Sequence, residues 1–131
     1  MTFDTASRSI VSVARADFGS FTAAQGADFI GANCGIGLAK MLNSVLGILA
    51  QAYDIPVVAK RNCGIPAYVD GAIHYHGTLY SMAEYALLAR GVGAKIISSC
   101  CGTSPAHVAA MLSVLNGMAG GGSWVSGQVI G

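Results

Sequence analysis

Short apolar runs alternate along the chain with stretches whose apolar positions recur at helical spacing. That is the pattern of βα units feeding a parallel sheet. Four such units can be read. A first strand at residues 1–3 is followed by a loop through Ser12 and a weak helix over 16–24. The second strand spans 27–33, and residues 34–37 turn the chain into a helix over 38–53. There Met41, Leu42, Val45, Leu46 and Leu49 keep helical spacing and mark core, not a cofactor box. Residues 55–60 form a β-branched third strand, begun by Pro56 where a missing N–H is tolerable.

The long loop 61–77 holds a small hairpin, with Tyr68-Val69 and Ile73-His74 flanking an Asp70-Gly71 turn. Thr78 reads as the N-cap of a helix to Arg90, whose apolar stripe is Met82, Tyr85, Ala86 and Ala89. The fourth strand covers 94–99. Thr103 or Ser104 caps a last helix that starts at Pro105 and runs to about Leu115. The segments 26–34 and 93–101 echo one another, each a Gly-Ala followed by an apolar run and a cysteine. Residues 118–131 are rich in glycine, without charge or period, and are assigned no structure.

No proline-rich or charge-rich stretch divides the 131 residues, so the chain is read as one unit. Composition changes the picture in two ways. With 53% apolar and only 10% charged residues, little of the surface can be charged unless a partner covers part of it. A net charge of +1, with Lys and Arg scattered singly, offers no stripe for a phosphate backbone or an anionic membrane. Nucleic acid and membrane are therefore not expected as partners. The longest apolar stretch, 41–53, is broken by Asn43, Ser44 and Gln51 and is shorter than the roughly 20 residues of a span. Asp4 and Arg8 stand where a secretion signal needs an apolar core. The expectation is a cytoplasmic protein with reduced thiols.

Three of the four cysteines, Cys34, Cys100 and Cys101, stand where a strand gives way to its following loop. Parallel α/β sheets place their chemistry on that edge. Side chains of alternate barrel strands share a layer, and Cys34 and the vicinal pair are spaced in that way. Neighbouring residues of a regular strand point to opposite faces, so both thiols of the pair reach one ion only if the backbone leaves strand geometry. Gly102 follows immediately and tolerates such a turn. Three thiolates with an open fourth position are the donor set of a catalytic zinc site, and the open position suits a substrate sulfur. Against this stand plain packing of buried cysteines and a vicinal Cys100–Cys101 disulfide, which strain and cytosolic redox conditions oppose.

Four motifs carry a resemblance: Met-Thr-Phe-Asp-Thr at 1–5, Gly-Ala-Asn-Cys-Gly at 31–35, Asn-Cys-Gly-Ile-Pro at 62–66 and Cys-Cys-Gly-Thr-Ser-Pro-Ala-His at 100–107. Over residues 1–111 the chain resembles the homocysteine S-methyltransferase family. That family includes betaine-homocysteine methyltransferases and the homocysteine-binding module of cobalamin-dependent methionine synthase. The resemblance implies a zinc (β/α)8 TIM barrel, of which this chain covers the C-terminal half, about strands five to eight. It implies Cys34, Cys100 and Cys101 as Zn2+ ligands, Asn33 and Asn62 as substrate-binding residues, and methyl transfer to L-homocysteine to give methionine. Asn62 would approach the zinc when substrate is absent. Cys63 in Asn-Cys-Gly-Ile-Pro leans the donor toward betaine, with a methylated corrinoid as the alternative.

Ser98 and Ser99 replace the Gly-Gly of many members, and the tail after Leu115 does not look like the family. A half-barrel needs an N-terminal half or self-association to cover its edges. An inactive, self-associating half-barrel is therefore a further reading. A thiol redox protein is disfavoured by the lack of a Cys-x-x-Cys pair. His74 and His76 share one side of the hairpin and are read as solvated loop residues, and His107 as a neutral helix residue. The glycines of 31–37 lack a phosphate-loop pattern.

Overall fold

The computed structural model describes residues 1–3, 9, 13–34, 37–52 and 54–117. The glycine-rich tail, most of the first loop, Gly35, Ile36 and Tyr53 lie outside the described residues. The elements run α1 (Arg15–Ala24), β1 (Ile30–Cys34), α2 (Gly37–Ala52), β2 (Val57–Arg61), β3 (Pro66–Val69), β4 (Ala72–Tyr75), α3 (Leu79–Gly91), β5 (Ile96–Ser99) and α4 (Pro105–Gly117).

Strands β1, β2 and β5 form a parallel sheet in that order, with Ile30 opposite Val57 and Val58 opposite Ile96. Alternation sorts the side chains. Ile30, Ala32, Val57 and Ala59 enter the buried core with Met41, Val45 and Ile48 of α2 and the α3 stripe Met82, Tyr85, Ala86 and Ala89. Burying each larger aliphatic contributes about 1.5–3 kcal/mol. The opposite face carries Gly31, Val58, Lys60, Ile96 and Ser98, all only half-buried and none in the core cluster. Gly31 has no room for a Cβ, because Val58 of the neighbouring strand occupies that position.

The echo between 26–34 and 93–101 has a structural basis. Gly26 (φ 75) and Gly93 (φ 109) each end a helix in the left-handed region. Ala27 and Ala94 then bond back to Thr22 O and Ala89 O at 3.2 and 3.0 Å, the 6→1 bond of a Schellman stop. Those amides are used by the helix ends, so β1 and β5 begin later than alternation predicts, at Ile30 and Ile96. In the same way β2 begins after Pro56, whose carbonyl accepts from Ile30 N at 3.2 Å. Thr78 caps α3 in a reciprocal capping box with Ser81. The hairpin turns at Asp70 (φ 50) and Gly71 (φ 80), the left-handed pair that a two-residue turn requires.

One expected element is corrected: residues 1–3 do not form a strand. They lie alongside β1 through two bonds only, Met1 N to Gly31 O at 3.1 Å and Asn33 N to Met1 O at 2.9 Å. The contact follows the parallel pattern but spans a single residue, too little for a ladder. Among the described residues no helix is long and apolar enough to cross a membrane.

Candidate metal centre

The three parallel strands end side by side, and the cysteines sit at those ends. Cys34 closes β1 with φ 59, a left-handed conformation uncommon for a residue with a Cβ. Strand alternation would send its side chain to the helix face with Ala32. The left-handed turn brings Cys34 Sγ instead to 2.9 Å from Cys100 Sγ. Cys100 Sγ lies 3.9 Å from Cys101 Sγ, and the three sulfurs are all within 4.8 Å of one another. All four cysteines are free thiols.

The pair is held by the exit of β2. Cys100 N–H donates to Arg61 O at 2.8 Å, continuing the ladder one residue past β5. The chain then turns through Gly102 (φ 77), Cys101 N–H donates to Asn62 Oδ1 at 3.2 Å, and Cys63 N–H donates to Cys101 O at 2.9 Å. These bonds break the strand alternation that would separate neighbouring thiols. Asn33 Nδ2 donates to Cys34 Sγ at 3.3 Å. Asn33 and Asn62 therefore both stand beside a cysteine of the cluster.

The electrostatics divide the pair in shortest contact. Burial, and then the contact with Cys100, push the Cys34 thiol up to about 11, with Asn33 pulling the other way. Burial also pushes Cys100 up, but bonds from Cys34 and from the Cys101 amide and thiol, with the charge of Lys60, outweigh it and leave Cys100 below the ordinary thiol value. In the 2.9 Å contact Cys34 thus keeps the proton and Cys100 ionises first. Lys60, from the face of β2 away from the core, lines a cavity of about 610 Å³ together with Cys100, Cys101, Thr103 and Val108. That size suits a small organic ligand.

Cys63 stays out of the cluster. It is 1% exposed and donates its thiol to Gly77 O at 3.3 Å, and burial raises its pKa. His74 and His76 are exposed on the hairpin. His107 is structural: Ser104 N–H donates to its Nδ1 at 3.2 Å, which leaves the proton on Nε2, facing Gly77 O at 3.3 Å. The helix start after the cysteine pair is thereby tied to the loop after β4. Sequence reasoning missed Lys60 and Tyr75. The Tyr75 ring covers Gly102.

The donor set fits zinc. Sulfurs at about 2.3 Å from a tetrahedral ion lie about 3.8 Å apart. The Cys100–Cys101 separation of 3.9 Å matches that edge, while the Cys34–Cys100 contact is tighter. Among the described residues the ligand group is these three soft thiols, which leaves one tetrahedral position open to a further ligand.

Fold and site together define an α/β protein with a parallel sheet and a three-thiol cluster on its carboxyl edge. Residues 1–115 match the homocysteine S-methyltransferase family, and the chain belongs to that family. Over 84 residues, 63% of its length, it is 34% identical to the methionine synthase of Mycobacterium tuberculosis (strain ATCC 25618 / H37Rv). The matched region is 7% of that relative.

Proposed function

We propose that this chain is the metal-bearing, C-terminal half of a zinc-dependent methyltransferase barrel that transfers a methyl group to the thiolate of L-homocysteine, giving methionine. One observation carries the reading: three sulfurs from two non-neighbouring strands converge within 4.8 Å beside an open cavity. Cys34, Cys100 and Cys101 would hold the ion. When bound, zinc supplies the means of keeping a fourth sulfur ionised at neutral pH, where a free alkyl thiol is mostly protonated. The homocysteine thiolate then attacks the donor methyl carbon in line. The new S–CH3 bond forms as the bond from methyl to donor breaks, and the donor keeps the electron pair. With betaine the leaving group is a neutral tertiary amine. Asn33 and Asn62 are assigned to the homocysteine side of the site, because each already bonds a cysteine of the set.

The half-barrel reading is supported by the sheet. Residues 1–3, β1, β2 and β5 lie side by side in chain order, with helices on one face and a half-buried face opposite. In a closed (β/α)8 barrel that second face lines the interior. The missing walls would come from an N-terminal half or a second copy of the chain, and a second copy alone gives the inactive, self-associating reading. The resemblance to the homocysteine-binding module of cobalamin-dependent methionine synthase makes a methylated corrinoid the second candidate donor.

The test has two arms. Zinc content of the chain and of its Cys34→Ser, Cys100→Ser and Cys101→Ser variants is expected near one ion per chain, falling in each variant. Methionine formation is then assayed with betaine or methylcobalamin, with and without a polypeptide carrying the first four βα units. Zinc uptake that ignores all three substitutions refutes the metal assignment. A zinc-loaded, completed barrel that forms no methionine with either donor refutes the activity.

A further inference from the structure

The sheet face turned away from the helices changes character just before the cysteines. Gly31, Val58 and Ile96 lie in register across β1, β2 and β5 and form a row without a polar side chain. The next row on that face is Asn33, Lys60 and Ser98, in register on the same three strands and polar throughout. Lys60 stands at its centre, half-buried on the middle strand, between Ala59 and Arg61, which are both buried on the helix side. An ammonium group is rarely withdrawn from water without an anion to meet it. Among the described residues no Asp or Glu joins Lys60, Cys100, Cys101, Thr103 and Val108 in lining the cavity, and the Thr103 hydroxyl is buried without a hydrogen-bond partner.

We propose that Lys60 is a specificity-determining residue of the site, its ammonium seating the carboxylate of a small ligand whose reacting end lies at the sulfur cluster. The assignment rests on the methyltransferase reading above and concerns a residue outside all four sequence motifs. It adds a ligand class to that reading, since homocysteine as acceptor and betaine as donor each carry a carboxylate a few bonds from the reacting atom.

Cys100, Cys101 and Lys60 line one cavity of about 610 Å³, so a single small molecule can span from the sulfurs to the amine. An ammonium has three donors and no acceptor, so Lys60 can face the sulfurs and still give a proton to a carboxylate oxygen. The two neighbouring rows fix the sense in which such a ligand lies. Its carboxylate belongs at the level of Asn33, Lys60 and Ser98, and the row of Gly31, Val58 and Ile96 beyond offers no competing side-chain partner. Closing the barrel over this face removes water from the pair and strengthens it.

The experiment loads the full chain with cobalt and follows the sulfur-to-cobalt charge-transfer band as an added thiol fills the fourth position. Mercaptopropionate and propanethiol differ in a carboxylate set against a methyl group, and comparing their affinity ratio between variants cancels the difference in thiol acidity. That ratio is expected to fall about tenfold in Lys60→Met, the scale of one hydrogen bond to a charged group. Lys60→Arg should recover it, and Lys95→Met, which removes an exposed lysine ahead of β5, should leave it at the wild-type value. Lys60→Gln repeats the loss with a polar side chain, should methionine disturb the sheet. A second arm titrates betaine and choline, which share the trimethylammonium group, onto the zinc-loaded chain. A fall in the thiol ratio assigns Lys60 to the acceptor's carboxylate, and a fall in the betaine-to-choline ratio assigns it to the donor's. Both ratios at wild-type values in Lys60→Met and Lys60→Gln overturn the assignment while leaving the metal reading intact. An equal loss for the two thiols belongs to that outcome, because Lys60 then only offsets the charge of the sulfurs. A wild-type chain that takes up no cobalt overturns the metal reading, and this inference with it.

Discussion

Asn62 offers the sharpest test of how the centre is assembled. The residue is 7% exposed, and its Oδ1 accepts the Cys101 amide at 3.2 Å, so Asn62→Ala removes one neutral hydrogen bond near the long end of the accepted range. Such a bond contributes about 1 kcal/mol net to folding. Cys101 is exposed, so its released amide can recover a water partner, which keeps the folding cost near that figure and not at the higher cost of a sealed donor. Metal affinity should suffer more. Losing an outer support of a ligand typically lowers affinity about 10- to 100-fold, or roughly 1.4–2.7 kcal/mol. Asn62→Asp keeps an acceptor but sets a carboxylate beside three thiols, so it should restore the folding loss. Urea melts of the metal-free chain and zinc competition against a chromophoric chelator read the two quantities separately. Zinc affinity in Asn62→Ala equal to wild type would refute the idea that this bond aims Cys101.

Three further outcomes are expected. Cys34 is pushed up to about 11, so it carries a proton at neutral pH that metal uptake must expel. Its share of the apparent zinc affinity should rise about tenfold per pH unit below that value, seen as proton release in buffers of different ionisation enthalpy. For the metal-free chain the sign is opposite: Cys34 binds its proton more tightly folded than unfolded. Its stabilising contribution is thus complete below the ordinary value of 9.0 and lost as pH rises through about 11, a fall that denaturant midpoints should show and Cys34→Ser should remove. Gly102→Ala meets both a left-handed φ and the Tyr75 ring and should cost at least the roughly 1–2 kcal/mol of the conformation alone, with zinc affinity reduced in parallel. Ile48→Ala, at a fully buried position of α2, should cost about 2–5 kcal/mol in urea without changing metal stoichiometry once the chain is folded.

Much of this architecture can be read from residue order, because its determinants are local. Period-3.6 spacing marks Met82, Tyr85, Ala86 and Ala89, the same four residues that α3 buries. Asp70-Gly71 announces the hairpin, and Thr78 the capped start of α3. The positions of the three cysteines at strand ends are equally local facts, and their meeting follows once the sheet order β1-β2-β5 is known. What escaped depends on bonds between segments far apart in the chain. The Asn62–Cys101 and Cys63–Cys101 contacts lace two loops together, and neither spacing nor propensity encodes them. Tyr75 was overshadowed by His74 and His76, whose alternation looks more like a ligand pattern, yet alternation itself turns Tyr75 inward and leaves both histidines outside. The left-handed turn at Cys34 had no signal, since the residue that a turn usually demands, glycine, follows at the next position.

Adjacent residues of β2 divide the charge around the centre. Arg61 points into the core, 8% exposed, with Nη1 donating to Ser81 O at 3.2 Å and its guanidinium 5.7 Å from the centre of the Tyr85 ring, while Nε has no partner. Burial lowers its pKa, and nearby Tyr85 and Cys63 only partly counter that. Its backbone carbonyl meanwhile accepts Cys100 N–H, so the side chain wedged under α3 also sets the height of the cysteine pair. Lys60 takes the other face and reaches the cavity, where its charge favours ionised Cys100. On the proposed reading, three thiolates and a divalent ion sum to minus one, and a fourth thiolate makes minus two. Lys60 offsets one of these charges. The remaining negative charge favours a donor whose methyl group is carried on a cationic centre, and transfer removes it as thiolate becomes neutral thioether. A quaternary ammonium donor meets that condition, which is a physical reason, independent of motif, to place betaine ahead of an uncharged methyl source.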